Sequence, residues 1–191
     1  MYLILDCETT GLPKRWDAPV SDVHNWPRAI QVAWSLFDEA GRCLESVLRL
    51  VRPDGFEIPL DVQRIHGITT ERALAEGGPI GQVLRELSLA VEKADVLVAH
   101  NLKFDERILS AEYLRNGLPL PFGGKKRFCT MERTTGLCRI PGARGYKWPS
   151  LSQLHRELFQ STFEDAHDAG ADVAACARCF LELKKRGLVS F

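Results

Sequence analysis

Two carboxylates stand one residue apart where an apolar run near the start of the chain gives way to a turn. The segment reads LILDCETTGLP, residues 3–13, and the acids are Asp6 and Glu8. On a strand, residues two apart project from the same face, so these two anions lie close together and repel. A divalent cation is the simplest compensator, because hard cations prefer carboxylate oxygens and two ions can share one carboxylate. The alternative is a solvated strand end with ordinary acids.

A third acid, Asp105, lies in the first turn of a predicted helix that follows the predicted buried strand DVLVAHN. Asn101 suits the N-cap of this helix, and Phe104 adds an aromatic side chain. Sites in open α/β sheets assemble at the C-terminal ends of strands, which favours a place for Asp105 in the same site. The alternatives are that Asp105 only complements the helix dipole and that Phe104 only packs in the core.

The segment HDAGADV, residues 167–173, adds a histidine and another acid. On one continuous helix His167 and Asp172 would lie about 140° apart, so His167 is predicted to precede the helix, with Asp168 as its N-cap. Asp172 falls at the edge of the apolar stripe that includes Cys176. A carboxylate at a buried edge needs a partner, and a histidine at a helix entrance can approach a reacting centre. A purely structural histidine remains the alternative.

The elements that must position these residues follow from hydrophobic periodicity. The runs YLIL, AIQVAWSLF and RCLESVLRLV predict three strands of an antiparallel meander. Helical patterns follow, two of them short, and they alternate with two further strands, DVLVAHN and KRFCTM. The longest helical patterns are PIGQVLRELSLAVEKA, LKFDERILSAEYLRNG and the segment that ends at Gly187. The sequence therefore predicts an α/β fold in which helices flank one central sheet.

The size and composition of the chain limit its class. Its 191 residues suit one domain, predicted to cover residues 1–191. Basic and acidic residues number 25 each, so the net charge gives no reason to assume a general attraction to polyanions, and any phosphate chemistry must be local. The sequence has no secretory pattern and no window of membrane-spanning length, and its six cysteines suit free thiols. We therefore expect a cytoplasmic protein without a membrane partner.

Together, these motifs resemble those of the DEDDh (DnaQ-like) 3′–5′ exonucleases. The shared residues, in chain order, are Asp6-x-Glu8 followed by TTG, Asn101-x-x-x-Asp105 and His167-x-x-x-x-Asp172. The sister group would need tyrosine where this chain has Asp168, so the histidine subclass is indicated. The resemblance spans residue 3 to about residue 183. It implies a ribonuclease H-like fold, whose mixed sheet combines a three-stranded antiparallel meander with two parallel strands.

The resemblance implies a hydrolase that uses two Mg²⁺ or Mn²⁺ ions. Asp6 would bridge the two ions. Glu8 and Asp172 would complete the coordination of the ion on the side of the nucleophile, and Asp105 would help to coordinate the other ion. His167 would be the general base that deprotonates the attacking water, a task that needs a neutral imidazole.

The same resemblance assigns substrate contacts to the turn after the acid pair and to the start of the helix at residue 102. Thr9 and Thr10 would meet the terminal nucleotide through backbone and hydroxyl groups, and Leu12 and Phe104 would wedge against its base. Asn101 belongs to the same predicted substrate-binding group. Such contacts read little sequence, which fits the stepwise removal of nucleotides from a single-stranded end.

The implied activity is the release of nucleoside 5′-monophosphates from single-stranded 3′ ends. DNA is favoured over RNA, in proofreading or repair, and a DNA polymerase is a candidate partner. Little sequence follows the last predicted helix, which favours a free-standing or loosely partnered enzyme. Two alternatives stay open: an exoribonuclease that trims RNA ends, and a catalytically silent scaffold that binds nucleic acid. Loss of a site residue would favour the scaffold, and all five are present.

Three other features bear on the substrate. A long polar loop with Trp16 and Trp26 lies between the first two strands, where it would narrow access to the acid pair. Gln31 stands where many relatives carry an acid, and we expect this difference to leave the chemistry unchanged. The segment CRIPGARGYKWPS, residues 138–150, would either guide a nucleic-acid backbone or form a plain solvated loop.

Overall fold

The computed structural model describes residues 1–163 and 167–190. Its central sheet is built from five strands, which are Tyr2–Thr9 (β1), Ala29–Phe37 (β2), Cys43–Leu50 (β3), Val96–Ala99 (β4) and Lys126–Cys129 (β5). The strand order is β3-β2-β1-β4-β5. Antiparallel pairing joins β1, β2 and β3, whereas β4 and β5 run parallel to β1. The predicted mixed sheet of a meander plus two parallel strands is confirmed.

The helices of the described residues are Leu60–His66 (α1), Thr70–Glu76 (α2), Ile80–Lys93 (α3), Leu102–Arg115 (α4), Thr130–Arg133 (α5), Thr135–Cys138 (α6), Leu151–Phe159 (α7) and Ala169–Lys185 (α8). A small hairpin joins Pro141–Gly142 (β6) to Gly145–Tyr146 (β7). The sequence does not predict α5, α6 or the hairpin, because elements of two to four residues show no periodicity. None of the helices in the described part of the chain has the length and apolar character needed to cross a bilayer.

The two faces of β1 pack against different helices. Leu3, Leu5 and Cys7 belong to a core cluster that includes residues of α3 and α4. Tyr2 and Ile4 belong to a second cluster, formed with α7 and α8. Because side chains alternate along a strand, Asp6 and Glu8, which continue the series of Tyr2 and Ile4, also face the α8 layer. Those residues are the acid pair of the sequence analysis.

The C-terminal half of β1 extends past its parallel neighbour. The ladder between β1 and β4 pairs Tyr2 with Val96 and ends where Ile4 pairs with Val98. On the other side, β1 stays paired with β2 as far as Thr9, with a register shift after Glu8. This one-sided pairing leaves an opening in the sheet beside the end of β1, a place where sites assemble in open α/β sheets.

A buried ionic cluster holds α4 against the start of β2. Glu112 of α4 is fully buried, and its Oε1 accepts hydrogen bonds from the backbone nitrogen of Ala29 at 3.1 Å and from Arg28 Nε at 2.8 Å. Arg115 also donates to this oxygen, at 2.8 Å. A buried carboxylate is tolerated only when it is paired and hydrogen-bonded, so these contacts fix the position of α4.

Candidate active site

The acid pair lies at the open end of β1 on the face that carries α8. Asp6 and Glu8 are both partly buried there. Asp172 lies in the first turn of α8, also partly buried, as its place at the edge of the apolar stripe predicts. Burial raises the pKa of Asp6, and the charges of neighbouring acids, Asp172 and Glu8 among them, add to the rise, so these acids from β1 and α8 share one region.

Asp105 reaches this region from the other helical layer. Its side chain is only 2 % exposed, in the first turn of α4 as predicted. The Oδ1 atom accepts hydrogen bonds from the backbone nitrogen of Cys7 at 3.1 Å and from Cys7 Sγ at 3.3 Å. Since Cys7 lies between Asp6 and Glu8, these bonds attach Asp105 to the middle of the acid pair. A role limited to the helix dipole does not account for this attachment.

Asn101 occupies the predicted N-cap position of α4, but the predicted capping interaction is wrong. Its backbone is left-handed, with φ at 77°, and its side chain makes no capping hydrogen bond. N-cap residues normally have extended dihedrals, which place the side chain over the first free amides of the helix. Asparagine tolerates the left-handed region better than most residues. Here the backbone carbonyl of Asn101 accepts a bond from Phe104 N at 2.8 Å.

The entrance of α8 is held by Asp168 and Gln31. Asp168 is the N-cap, as predicted, and its Oδ1 accepts from the backbone nitrogens of Gly170 and Ala171. Its Oδ2 accepts from Gln31 Nε2 at 3.1 Å. The other end of the buried Gln31 amide, Oε1, accepts from Ala169 N at 2.9 Å. Gln31 therefore ties the centre of the sheet to the first residues of α8.

His167 precedes α8, as predicted, and lies beside the acids. It is exposed, its φ is 74°, and its backbone nitrogen donates to Asp172 Oδ2 at 3.2 Å. Ligand atoms of Glu8, His167 and Asp172 all lie within 4.8 Å of one another. The structure thus brings the histidine and an acid from each of two elements to one point.

Burial and mutual repulsion make these carboxyl groups hard to ionise. Burial raises the pKa of Asp6 well above its usual range, and neighbouring carboxylates raise it further. Burial is also the largest cause for Glu8, whose pKa rises to about 8, followed by the charge of Asp172. Burial raises the pKa of Asp105 to about 7, although the bonds from Cys7 oppose the rise. The pKa of Asp172 is raised as well, again mainly by burial.

The chemistry of this donor set fits divalent cations. Within residues 1–163 and 167–190, no lysine or arginine forms an ion pair with any of the four acids. Carboxylate oxygens are the donors that Mg²⁺ and Mn²⁺ prefer, and a nearby cation would reverse the rise in their pKa. The residues that would hold such ions are Asp6, Glu8, Asp105 and Asp172.

The other predicted residues surround this cluster. Thr9 Oγ1 donates to the carbonyl of Gly11 at 2.7 Å, and Thr10 Oγ1 accepts from Arg28 N at 2.9 Å, so both hydroxyls also shape the turn. Leu12 follows the turn with 73 % of its surface exposed, a large apolar side chain without cover. Phe104, one residue before Asp105, is partly buried.

The contacts of two residues in this arrangement, Cys7 and Gln31, were not predicted from the sequence. Cys7 attaches Asp105 to β1, and Gln31 holds the residues next to His167. The expectation that an amide in place of an acid at Gln31 leaves the chemistry unchanged stays a prediction. Strand periodicity places Cys7 on the face opposite the acid pair, towards α4, and that signal could have indicated its contact. A hydrogen bond between β2 and α8 depends on their packing, which no local pattern reveals.

Comparison with known proteins decides the family. A family model described as RNase_T, Exonuclease, matches residues 3–180. The chain belongs to this exonuclease family. The predicted membership of the DnaQ-like exonucleases, within the ribonuclease H-like superfamily, is thereby confirmed, and with it the assignment to the nuclease hydrolases.

The exonuclease is also similar to individual proteins. It is 34 % identical over 177 residues to DNA polymerase III PolC-type of Streptococcus sanguinis, covering 93 % of this chain and 11 % of that protein. The PolC-type polymerase of Streptococcus thermophilus is 35 % identical over 118 residues, which cover 62 % of this chain and 7 % of that protein. The chain thus spans about a tenth or less of the length of these curated relatives.

Solved structures share the fold of the exonuclease. E. coli exonuclease I in complex with a dT13 oligonucleotide matches with a TM-score of 0.76 at 20 % identity, over 97 % of this chain and 41 % of that one. The zinc-bound E. coli exonuclease I–ssDNA complex matches with a TM-score of 0.74 at 21 % identity, over 97 % and 40 %. At this identity the likeness concerns the fold, and it agrees with the ribonuclease H-like sheet described above.

Proposed function

We propose that this chain is a two-metal-ion 3′–5′ exonuclease, which releases nucleoside 5′-monophosphates from the 3′ ends of single-stranded DNA. The observation that carries the proposal is the convergence of Asp6, Glu8, Asp105 and Asp172 with His167. These five residues come from three separate segments and from both helical layers. A silent scaffold would have no need for four repelling carboxyl groups whose pKa values rise together.

The four acids would hold two ions, Mg²⁺ or Mn²⁺. When bound, such ions activate water and neutralise the charge that develops on the phosphate and on the leaving oxygen. The chain itself supplies a rigid carboxylate frame. Asp105 is bonded to Cys7, and Asp172 accepts the backbone bond from His167, so neither acid needs to reorganise before substrate binds.

His167 would take the proton of the attacking water. Its ring nitrogen lies within 4.8 Å of ligand oxygens on Glu8 and Asp172, and the residue is exposed, so water and substrate can reach it. The oxygen of water bonds to phosphorus and the bond from phosphorus to the 3′ oxygen of the preceding nucleotide breaks. The proton passes to His167 and then to solvent, and the 3′ oxygen leaves as a hydroxyl after taking up a proton.

Similarity to DNA enzymes supports DNA as the substrate. The curated relatives are DNA polymerases, and the structural relatives are E. coli exonuclease I bound to DNA oligonucleotides. The polymerase relatives also support a proofreading or repair setting, with a DNA polymerase as partner. A comparison of matched DNA and RNA strands distinguishes DNA from RNA as the preferred substrate.

The test compares matched DNA and RNA oligonucleotides, labelled at the 5′ end, with Mn²⁺ or with chelator. We expect a descending ladder and free 5′-monophosphates from DNA with the metal, and no cleavage with chelator. Asp6→Asn should abolish the ladder, whereas Asp54→Asn, the same change at an exposed loop acid, should keep it.

Four results would contradict parts of this assignment. A single internal cut would indicate an endonuclease, and a faster ladder on RNA would indicate an exoribonuclease. Wild-type turnover in Asp6→Asn would remove the acid cluster from the mechanism. Wild-type protein that binds DNA with Mn²⁺ but leaves it intact would favour the scaffold.

A further inference from the structure

The Trp16 loop, residues 10–28 between β1 and β2, is tied down along its length. Asn25 is buried, and its side chain accepts a bond from Arg15 N at 2.8 Å and donates to the carbonyl of Arg15 at 2.9 Å. The buried Trp26 donates from Nε1 to the carbonyl of Pro19 at 3.0 Å. Two large polar or aromatic side chains therefore form an internal core for the loop, which gives it a defined conformation.

A cation from α4 holds the tip of the loop. The guanidinium of Arg107 lies 5.3 Å from the ring centre of Trp26, a cation–π distance, and Nη1 donates to the backbone carbonyl of Trp16. This contact uses the backbone of Trp16 and leaves the indole free to point elsewhere. The position of Trp16 is thus set by the same helix that carries Asp105.

The indole of Trp16 extends the aromatic surface of Phe104. The two ring centres are 5.9 Å apart with planes at 45°, and Trp16 remains 53 % exposed. Phe104 is adjacent in sequence to Asp105, whereas Trp16 belongs to the loop between β1 and β2. A large aromatic face, fixed by its backbone and open to solvent, is the kind of surface on which a nucleobase stacks.

The neighbouring cavity offers charge for a phosphate backbone. A cavity of about 530 Å³ lies between the Trp16 loop, α4, β5 and α5. Its lining combines the cations Lys103, Arg107, Arg127 and Arg133 with the acids Glu106 and Glu132, so the cations outnumber the acids. In the described residues, Arg127 is paired with Glu106, whereas Lys103 and Arg133 are in no ion pair. Arg107 is in none either, but its guanidinium already holds the loop through the Trp16 carbonyl. Single-strand binding surfaces combine stacking faces with such unpaired basic groups.

We infer that Trp16 forms a stacking subsite for the base of the penultimate nucleotide, on the 5′ side of the residue being removed. The inference rests on the proposed function and on the assignment of Phe104 and Leu12 to the terminal base, which the family resemblance implies. Because Trp16 contacts Phe104 and the terminal nucleotide has one neighbour in the strand, the ring beside Phe104 meets the base of that neighbour. The subsite binds any base, since every base offers a flat face.

The test uses Trp16→Ala and three substrates with Mn²⁺. These are the 5′-p-nitrophenyl ester of thymidine monophosphate, which has one base, an oligothymidylate, and the same oligothymidylate with an abasic penultimate residue. We expect Trp16→Ala to raise KM for the oligothymidylate about tenfold, because stacking on one base is worth about that factor. Activity on the ester should not change. On the abasic substrate, wild type and variant should have equal KM.

Two matched variants complete the design. Trp16→Phe keeps an aromatic face and should retain most of the affinity. Leu89→Ala removes another large exposed apolar side chain, 59 % exposed on α3, and should behave as wild type on all three substrates. Equal KM for Trp16→Ala and wild type on the oligothymidylate would overturn the inference. So would an equal loss on the ester, or a loss that persists on the abasic strand.

A binding arm separates failure of this inference from failure of the proposed function. Equilibrium binding of the fluorescein-labelled oligothymidylate and of its abasic form is measured for wild type and Trp16→Ala. If the wild type binds the oligothymidylate but does not cleave it, the proposed function fails. The subsite is still supported if Trp16→Ala binds the intact strand about tenfold more weakly than the wild type does and binds the abasic strand equally well. Equal binding of the intact strand by both proteins, or no measurable binding by wild type, overturns the subsite.

Discussion

Replacing Asp105 by asparagine should stabilise the metal-free protein above neutral pH. The carboxyl group is 2 % exposed, and burial raises its pKa from the ordinary value of 3.8 to about 7. At 1.36 kcal/mol per pKa unit, ionising it in the folded protein costs about 4 kcal/mol more than in the unfolded chain. The amide has no charge to desolvate. It can still accept from Cys7 N, but as a weaker, neutral acceptor, so we expect a net gain of about 2 kcal/mol.

The sign of the pH dependence follows from the direction of the pKa change. A folded-state pKa above the unfolded value means that the folded protein binds more protons between those two values. The stability of the wild type is therefore highest at low pH within this range and falls as pH rises towards the pKa of Asp105, about 7. The gain from Asp105→Asn should be small near pH 5 and complete near pH 8.

Thermal unfolding in chelator at these two pH values measures the effect. For a domain of this size, about 2 kcal/mol corresponds to a rise of about 4–8 °C in Tm. Asp54→Asn, at an exposed loop acid, is the control and should change stability by less than about 0.5 kcal/mol at either pH. A lower Tm for Asp105→Asn near pH 8, or a gain that is equal at both values, would refute the argument from desolvation.

The remaining predictions concern the metal, the histidine and the entrance of α8. In chelator, the Tm of the wild type should fall as the pH rises to about 8, the pKa of Glu8, and saturating Mn²⁺ should restore the Tm. A Tm that does not change when Mn²⁺ is added would contradict the cation site. His167→Ala should lower turnover about 10²- to 10⁴-fold, while its Mn²⁺ affinity, measured by calorimetry, stays within about threefold of the wild-type value. A parallel loss of Mn²⁺ affinity would make His167 a metal ligand instead of a base. Gln31→Glu should place a carboxylate against Asp168 and lower the free energy of unfolding near neutral pH by about 2 kcal/mol, measured by chemical denaturation, and turnover should be slower. A variant as stable as the wild type would show that the Gln31 amide is dispensable.

The main elements of the fold could be predicted from local patterns. A continuous apolar run located β1, period-two alternation located β2, and helical periodicity with end signals located α3, α4 and α8. Asp168 as the N-cap of α8 is confirmed, because capping depends on residues within one turn. The left-handed Asn101 escaped prediction, since its backbone geometry is set by the junction of β4 and α4.

The chemistry of the site was also largely visible in residue types. The spacing of Asp6 and Glu8 on one strand face and the break between His167 and Asp172 are local facts, and the family comparison agrees with the resemblance that they suggested.

Types and spacings of residues along the chain determined which groups could do chemistry and which elements carry them. Only the tertiary structure decided what those groups meet. It attached Asp105 to Cys7, joined Gln31 to the entrance of α8, and placed Trp16 against Phe104. The physical reason is that a pattern within one element reports a periodicity of a few residues, whereas these contacts join segments that are far apart in the chain. They arise when two helical layers pack on opposite faces of one sheet.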